Sequence, residues 1–529
     1  MRRWLFVFCI FYLWPSWLWA AENAYDVIVV GSGAGGLGAA ATLAGAGRSV
    51  LLLEQHDKVG GYMSEFWRGG YRFDTSLHML DGVMPGSFLY DFFQHYGVMD
   101  RVHFVRLDPL YRSYYPDQAF DVPADVNEYL EVLEHMFPAD APGIRVLFER
   151  MAAVYHQATG MAGVSSVSKL RQAWTYLWAP LRRADLLFWL DKPFSQLMEL
   201  YVGDPRAKAI ISQLWGFLGL PPDRVSAVYF STMWGSYHLK GGYYPLGGSA
   251  AISKALAEFI TKSGGTVRTG ARVERIEVKD GQVLGVVLED GTRYLGRFVV
   301  SNASLPVTVE KLVGSENWPK EYVQHLRELQ PSWSLTALYL GLKDKRVLDP
   351  LQGVHSAFVN EEYNPHDAYY VAMDGKLNEM NFSLTNYSQT DPDCAPPGKA
   401  VLVITTALQY DYQDRWRRDE GYDRYLALKR EVTDKMISRA ERFLPGLRES
   451  VEVAELGTPL TMERYTLNPN GAVYGYAQTP AQSNLNRPSN KSPIKGLYFA
   501  GAWTFPGAGQ SACLMSGALA ASQILQELK

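Results

Sequence analysis

The stretch YDVIVVGSGAGGLGAAATLAGAGRSVLLLE, residues 25–54, decides the fold. A short apolar run at 27–30 leads into glycine-rich and alanine-rich sequence with helical spacing, and a second apolar run at 50–53 ends on Glu54. The order is therefore strand, tight turn, helix, strand and acid, which is the order of a dinucleotide-binding βαβ unit.

Each glycine of this motif has a physical role. Gly31 allows a sharp turn, Gly33 lets the backbone approach a pyrophosphate, and Gly36 lets the helix pack closely on the strand. The phosphates are expected at the helix start, where free N–H groups and the helix dipole favour an anion. Glu54 is placed to accept hydrogen bonds from a ribose. The motif by itself leaves FAD and NAD open.

Length and composition indicate a globular protein with more than one core. The 529 residues are 47% hydrophobic and 20% charged, with a net charge of −4, so we expect two or more interleaved domains and no nucleic-acid partner. Beyond the first 20 residues only Cys394 and Cys513 remain, and two cysteines make no disulfide framework. The spacing of residues indicates no metal site.

Residues 1–20 have the layout of a secretory signal: Arg2 and Arg3, then an apolar stretch from Trp4 to Trp19, then Ala20. We predict export, to the bacterial periplasm or to the endoplasmic reticulum lumen, with an uncleaved N-terminal anchor as the alternative. The two arginines also permit the twin-arginine route.

The segment after Glu54 carries a family resemblance. Residues 55–80, QHDKVGGYMSEFWRGGYRFDTSLHML, contain paired glycines at Gly60 and Gly61, and FDTSLH returns the chain towards the nucleotide. With the first motif, this segment resembles the phytoene desaturase, carotenoid isomerase and retinol saturase family of FAD-dependent oxidoreductases, in the amine-oxidase-like superfamily. The FDTSLH segment is especially similar to the retinol saturase pattern. The resemblance implies FAD as the cofactor.

The resemblance also implies an α/β fold of two domains, in which a Rossmann-type FAD-binding domain is interleaved with a mixed-sheet and helical substrate domain. We assign residues 25–84, 241–310 and 461–529 to the FAD-binding domain, and residues 85–240 and 311–460 to the substrate domain. Asp280-Gly281 and Asp290-Gly291 are predicted hairpin turns within the second FAD-binding segment.

Near the C-terminus, KGLYFAGAWTFPGAGQSACLMSGALAASQILQEL predicts a strand, a glycine turn and a helix that begins near Gln510. In the family this helix directs its N-terminus at the flavin N1 and C2 carbonyl, where negative charge collects on reduction. The family motif has an acid after Gly501, whereas this chain has Ala502. By resemblance, Val273 contacts the adenine through its backbone and Asn302 lies at a strand end beside the flavin.

The predicted FAD-binding residues share positions in these glycine turns, strand ends and helix starts. They are Gly31, Gly33, Ala34, Gly35, Gly36, Glu54, Gln55, Gly60, Gly61, Tyr62, Val273, Asn302, Gly501, Ala502, Gly509, Gln510 and Ser511.

His78 is the predicted catalytic residue, because it follows the turn that approaches the flavin. We hypothesise that it shapes polarity or donates a proton during alkene reduction. The other groups that could serve as acid or base are Tyr237, His238, Lys240, Tyr244, Glu463 and Tyr465. The aromatic residues that would suit an apolar tunnel are Phe66, Trp67, Phe73 and Trp503.

The function that the resemblance implies is oxidation or reduction of carbon–carbon double bonds in a long apolar polyene or isoprenoid lipid. Saturation like that of retinol saturase is favoured, with desaturation and isomerisation as alternatives. A flavin amine oxidase and a non-enzymatic FAD-binding lipid carrier or chaperone are the rival classes. The electron partner is unknown, and a quinone is one hypothesis.

The stretch WTYLWAPLRRADLLFWLDKPF, Trp174 to Phe194, combines tryptophans with Arg182 and Arg183. Such a segment suits a membrane interface, where rings lie at headgroup depth and cations stay hydrated. A buried helix pair of a substrate-domain cap is the alternative. We therefore expect peripheral membrane association and leave the packing of this segment open.

Overall fold

The computed structural model describes residues 23–160 and 183–529. The strands are β1 (Ala24–Val30), β2 (Val50–Leu53), β3 (Glu65–Arg68), β4 (Tyr71–Asp74), β5 (Leu80–Asp81), β6 (Phe104–Arg106), β7 (Tyr111–Tyr115), β8 (Gln118–Val122), β9 (Gly242–Pro245), β10 (Thr266–Arg268), β11 (Val273–Lys279), β12 (Gln282–Leu288), β13 (Arg293–Ser301), β14 (Thr336–Leu342), β15 (Ser356–Val359), β16 (Phe382–Asn386), β17 (Ala400–Thr406), β18 (Val451–Gly457) and β19 (Leu497–Phe499).

The α-helical segments are α1 (Ala34–Gly45), α2 (Phe88–His95), α3 (Val126–Met136), α4 (Ala141–Thr159), α5 (Ala184–Trp189), α6 (Phe194–Glu199), α7 (Pro205–Ile211), α8 (Ala227–His238), α9 (Ser249–Lys262), α10 (Leu305–Val307), α11 (Lys320–Glu328), α12 (Pro365–Met373), α13 (Tyr387–Thr390), α14 (Tyr412–Trp416), α15 (Tyr422–Glu441), α16 (Leu447–Ser450), α17 (Pro459–Thr466) and α18 (Gln510–Glu527).

The first sheet has the order β10-β2-β1-β13-β12-β11, and β19 pairs with β13 beyond the end of β12. Strands β10, β2, β1, β13 and β19 are parallel, while the β11–β12–β13 meander is antiparallel. The apolar runs at 27–30 and 50–53 are buried on both faces, as expected for parallel strands covered by helices. Because β2, β1, β13 and β19 are parallel, their C-terminal ends lie at one edge of the sheet, where α1 begins.

Helix α1 packs directly against α18 through small residues. A Cβ atom added at Gly517 would lie 2.6 Å from the backbone nitrogen of Ala39 and closer still to the carbonyl oxygen of Gly35. A Cβ atom added at Gly38 would lie 3.1 Å from the carbonyl carbon of Leu514. Because the two backbones touch, the N-terminus of each helix is brought to the same edge of the sheet.

The second sheet has the order β18-β14-β17-β16-β15-β7-β8. It is mixed, since β15 and β7 are parallel and the other neighbours are antiparallel. Its strands come from residues 111–122, 336–406 and 451–457, while those of the first sheet come from 24–53, 266–301 and 497–499. The chain thus crosses between the two sheets repeatedly, and the predicted interleaved, mixed-sheet α/β fold is confirmed.

Among the described residues, no helix is both long enough and apolar enough to span a bilayer. The predicted leader, residues 1–20, and the part of the aromatic segment from Trp174 to Arg182 lie outside the described residues. The rest of that segment forms α5 and the start of α6, with Leu186 and Trp189 buried and Phe188 57% exposed. The described part of the segment therefore has both a packed face and an open face.

Candidate active site

One large cavity lies between the two sheets and the helices α4, α5 and α8. Its volume is about 2310 Å³, whereas a site for one small ligand usually measures about 300–1,000 Å³. It extends from the start of α1 and the end of β2, past the start of α18, to aromatic side chains of the helical region. The space exceeds that of a single small ligand and has a polar end and an apolar end.

The polar end is a backbone cradle at the start of α1. Gly31 has a φ of +90°, a conformation that side chains disfavour, and it makes the turn between β1 and α1. A Cβ atom added at Gly33 would lie 2.6 Å from Nδ2 of Asn302, and one at Gly35 would lie 2.6 Å from the backbone nitrogen of Gly501. No side chain caps α1. Its first N–H groups are therefore available to an anion, as predicted from the motif.

Glu54 is buried beside this cradle and its carboxylate is held in place by the backbone. Oε2 accepts hydrogen bonds from the backbone nitrogen of Ser32 at 2.8 Å and from its hydroxyl at 2.5 Å, while Oε1 accepts one from the backbone nitrogen of His56 at 3.0 Å. Each oxygen can accept more than one hydrogen bond, so the carboxylate is oriented without being saturated. Gln55 follows it in the cavity wall, and Val273 lies in the same wall at the start of β11.

The second glycine pair closes over the cradle. The backbone nitrogen of Gly60 donates to the hydroxyl of Ser32 at 3.1 Å. A Cβ atom added at Gly61 would lie 3.2 Å from the Cα atom of Gly33, so the two turns nearly touch. Tyr62 follows in the cavity wall. The structure therefore brings the first two glycine motifs together.

The start of α18 supplies the third glycine motif. Gly509 is its N-cap, with a φ of +100° and no side-chain cap, and it lies with Gln510 and Ser511 in the cavity wall. Oε1 of Gln510 is buried and has no hydrogen-bond partner among the described residues. An unpartnered buried polar atom in a cavity wall points to a ligand that supplies its partner.

Ala502, which replaces the acid of the family motif, lies in the wall beside Gly501. Its carbonyl accepts a hydrogen bond from Nη2 of Arg487, which also donates to the carbonyls of Tyr474 at 3.3 Å and Tyr476 at 3.1 Å. The loop after Gly501 is thus held by a buried guanidinium on backbone carbonyls. Burial without a carboxylate partner lowers the pKa of Arg487 to about 10.

These residues fit FAD. The glycine cradle and helix start suit a pyrophosphate, the oriented carboxylate suits a ribose, and the start of α18 suits the carbonyl end of the flavin ring. When bound, the flavin supplies hydride transfer. Every predicted FAD-binding residue except Gly36 lies in the cavity wall. Gly36 instead packs α1 against the turn, where a Cβ atom would collide with the carbonyl oxygen of Gly31.

His78 lies in the cavity wall, and its ring contacts residues of β16, β17 and α13. Nδ1 is 3.0 Å from the hydroxyl of Thr385 and 3.1 Å from that of Tyr387, and Nε2 is 3.4 Å from the hydroxyl of Thr405. Burial lowers the pKa of His78 to about 4, so the imidazole is uncharged at neutral pH. A neutral ring favours the polarity role over proton donation; the catalytic assignment stays a prediction.

The FDTSLH turn is fixed by Asp74. Its carboxylate accepts hydrogen bonds from the backbone nitrogens of Ser249 at 2.6 Å, Leu77 at 2.9 Å and Ser76 at 3.1 Å, and from the Ser249 hydroxyl at 3.0 Å. Burial nevertheless raises the pKa of Asp74. This network links β4 to the start of α9 and sets the direction in which the chain approaches the cavity.

Only some of the aromatic residues predicted to line a tunnel lie in the cavity wall. Phe66 and Trp503 line the cavity, whereas Phe73 is buried in the core against Phe66 and Tyr339. Trp67 is 52% exposed on the outer side of β3. The tunnel assignment was therefore wrong for Trp67 and Phe73. Trp67 faces the opposite side of β3 from Phe66, because alternate residues of a strand face opposite sides. Phe73 lies on the same face as its partner Phe66, but Phe66 and Tyr339 cover it.

Of the remaining candidate acids and bases, some lie in the cavity wall and others do not. The cavity wall contains Tyr237, Lys240, Glu463 and Tyr465. His238 instead packs between Tyr129 and Trp234, and Tyr244 lies against His355 and Tyr387 outside the cavity wall. Sequence reasoning missed Asp81, a carboxyl in the wall beside Ser511. Its contact with Ser511 is far away in the sequence and gave no local signal, although an acid directly after an apolar run could have been noted.

Residues 34–525 match the model of the family described as flavin containing amine oxidoreductase. The chain belongs to this family. It is an FAD-dependent oxidoreductase, as the sequence predicted, and it is similar throughout its length to proteins of the carotenoid and retinoid group.

Three relatives illustrate this similarity. Prolycopene isomerase 2 of an Oncidium hybrid cultivar is 27% identical over 517 residues, which cover 95% of this chain and 84% of that protein. The neurosporene-forming phytoene desaturase of Rhodobacter capsulatus is 29% identical, covering 95% and 94%. Human all-trans-retinol 13,14-reductase is 27% identical, covering 95% and 87%. The family resemblance seen in the sequence is confirmed.

Solved structures support the fold. An oxidoreductase from Methanosarcina mazei superposes with a TM-score of 0.61 at 19% identity, over 94% of this chain and 99% of that one. Cyclohexylamine oxidase from Brevibacterium oxydans gives a TM-score of 0.60 at 16% identity, over 95% and 99%. At these identities the likeness concerns the fold alone.

Proposed function

We propose that the protein oxidises or reduces carbon–carbon double bonds of a long apolar polyene of the carotenoid or retinoid class. The observation that carries the proposal is the continuity of the cavity. Its FAD cradle opens without a partition into a section lined by Leu186, Phe217, Met233 and Tyr237. A polyene matches this section because moving an extended apolar chain out of water is favourable along its whole length.

The relatives support the substrate class and leave the reaction open. Their names describe an isomerisation, a desaturation and a reduction of polyenes. Reduction is the reaction that we propose first, because FDTSLH is similar to the retinol saturase pattern. Desaturation and isomerisation use the same cavity and are the direct alternatives.

The test is an anaerobic reaction of the FAD-loaded protein with matched substrates. Flavin reduced beforehand should be reoxidised by all-trans-retinol or a carotenoid, with a product two mass units heavier for each double bond reduced. Reduction of oxidised flavin by a more saturated chain indicates desaturation instead. Interconversion of cis and trans isomers without net flavin oxidation indicates isomerisation. If none of these polyenes changes, the proposed function is wrong.

The rival classes give different results in the same assay. An amine oxidase would reduce its flavin with amines and release hydrogen peroxide in air. A lipid carrier or chaperone would retain a polyene through purification and leave its bonds and the flavin unchanged. Mass spectrometry of an organic extract of the purified protein would identify the molecule that it carries.

For the electron partner we propose a quinone. An exported flavoenzyme has no access to cytosolic NADPH, and the sequence has one nucleotide-binding motif, which FAD uses. Turnover that is driven by a quinol but not by NADPH is the expected result. Turnover driven only by NADPH would contradict both this partner and the proposed export.

We also propose peripheral attachment to a membrane at the cavity mouth. Leu187 and Leu485 line the cavity and are 45% and 72% exposed, and Phe188, next to Leu187 in the sequence, is 57% exposed. Nζ of Lys192 lies 4.2 Å from the Phe188 ring centre, and Arg183 also lines the mouth. An apolar rim with cations suits a lipid surface. Leu187→Ser with Leu485→Ser should reduce co-sedimentation with anionic vesicles, whereas unchanged binding would place the contact elsewhere.

A further inference from the structure

We propose that Asp81 is the acid–base catalyst that delivers a proton to the polyene, or removes one from it. This inference rests on the proposed function. Asp81 ends β5, where pairing with Gly242 of β9 fixes its backbone. Its side chain forms part of the cavity wall. It therefore meets the cavity from a rigid strand and not from a mobile loop.

The hydrogen bonds that Asp81 accepts do not prevent it from carrying a proton. The Ser511 hydroxyl, in the first turn of α18, donates to Oδ1 at 2.7 Å, and Ser236 also hydrogen-bonds to the carboxyl group. Ser511 belongs to the same helix start that fits the carbonyl end of the flavin. Each carboxyl oxygen can accept more than one hydrogen bond, so a protonated carboxyl group can keep both serine contacts. The acid thus lies beside the helix start that fits the cofactor.

The polar groups around Asp81 are uncharged. They are Ser511 on α18, Ser236, Tyr229 and Tyr237 on α8, and Tyr155 on α4. Among the described residues, no Lys, Arg or His forms an ion pair with Asp81. Burial raises the pKa of its carboxyl despite the hydrogen bonds from Ser511 and Ser236. The three tyrosines are neutral, because burial raises each of their pKa values as well.

The proposed step balances as a proton transfer. In reduction, the O–H bond of Asp81 breaks and a C–H bond forms at one carbon of the double bond; the hydride for the neighbouring carbon would come from reduced FAD. The carboxylate left behind regains its proton from solvent. In desaturation the carboxylate form of Asp81 accepts the proton and oxidised FAD would accept the hydride, and in isomerisation the same proton is added and then removed. One residue therefore serves each of the three reactions that the proposed function leaves open.

The decisive variant is Asp81→Asn. The asparagine oxygen still accepts from Ser511, so the wall keeps its shape, but the amide has no acidic proton. General acid catalysis typically contributes 10²–10⁴-fold, and we expect a loss of polyene turnover of about 100-fold or more. Asp81→Glu should recover part of it. Asp290→Asn, in an exposed hairpin turn, is the matched control and should retain wild-type turnover.

A second readout does not depend on turnover. The infrared spectrum of the FAD-loaded protein at neutral pH should contain the carbonyl stretch of a protonated carboxylic acid that disappears in Asp81→Asn. Absence of the infrared band, or turnover of folded Asp81→Asn at the wild-type rate, overturns the proposal for Asp81 alone. Absence of polyene turnover in the wild type overturns the proposed function, and the role of Asp81 in it falls too.

Discussion

Replacing Gly517 by alanine should weaken FAD binding, although the residue lies two turns beyond the start of α18. The added Cβ atom would lie 2.6 Å from the backbone nitrogen of Ala39 and 2.9 Å from the carbonyl carbon of Gly35. Ordinary contact begins at 3.4 Å, so α18 and α1 must separate by about 0.8 Å or more. Neither backbone can rotate away as a side chain would.

Separating α1 from α18 would displace both helix starts that are predicted to bind FAD. Gly35 belongs to the first turn of α1, and α18 begins at Gln510. Overpacking usually costs about 1–3 kcal/mol, and a misplacement on the order of 1 Å suffices to disturb positioned contacts. We expect the Kd for FAD to rise about tenfold or more, which corresponds to about 1.4 kcal/mol.

The assay is calorimetric titration of apoprotein with FAD, together with thermal unfolding. Gly216→Ala is the matched control, because a Cβ atom added there meets nothing within 4 Å. Helix propensity alone predicts that Gly517→Ala stabilises the protein by up to about 1 kcal/mol, which is the opposite sign. A stabilised Gly517→Ala variant with the wild-type Kd would refute the close-contact reasoning.

Three further predictions concern buried polar groups. Asp74→Ala should destabilise the fold by about 3 kcal/mol or more in denaturant titration, because several buried N–H groups lose their acceptor; a change below 1 kcal/mol would contradict this. His78→Gln should keep the wild-type pH profile of kcat between about pH 6 and 8, because burial lowers the pKa of His78 to about 4 and the ring is neutral throughout this range. If the variant instead loses a titration step of the profile near pH 6.5, His78 titrates there. Burial lowers the pKa of His238 to about 3, so the native state binds fewer protons than the unfolded state below pH 6.5 and stability falls with acid. His238→Phe should remove about 1.4 kcal/mol per pH unit of that decline between about pH 4 and 6, as measured by unfolding titrations, and an unchanged slope would show that His238 is not the source.

The cofactor end of the site was predictable because its chemistry lies in the backbone. A glycine at a given spacing after a strand usually marks a position where a side chain would not fit. Gly31, Gly33 and Gly509 are such positions, because of a positive φ or a close neighbouring atom. The order of strand, turn and helix also determined which sheet edge they share. Resemblance supplied the positions that spacing could not, such as Val273 and Asn302.

The substrate end was less predictable because its side chains come from distant segments. Trp67 and Phe73 were assigned to a tunnel from composition. Strand alternation places Trp67 in solvent, and Phe73 is covered by Phe66 and Tyr339 in the core. His238 and Tyr244 were weighed as acids or bases, and packing places neither in the cavity wall. Residues 161–182, within the aromatic region, lie outside the described structure.

Asp81 shows why the sequence pattern around a residue cannot identify a catalytic candidate whose partners are distant in the sequence. Its relevance depends on Ser511, which is 430 residues away in the sequence, and on tyrosines from two further helices. Contact between α1 and α18 brings the start of α18 to the cavity, and pairing of β5 with β9 brings Asp81 to the same point. The contact between α1 and α18, which positions the predicted FAD cradle, therefore also positions the helix start that hydrogen-bonds to Asp81. A variant that separates the helices should consequently lower flavin affinity and the protonated-carboxyl signal of Asp81 together, whereas Asp81→Asn should remove the signal and leave flavin affinity unchanged.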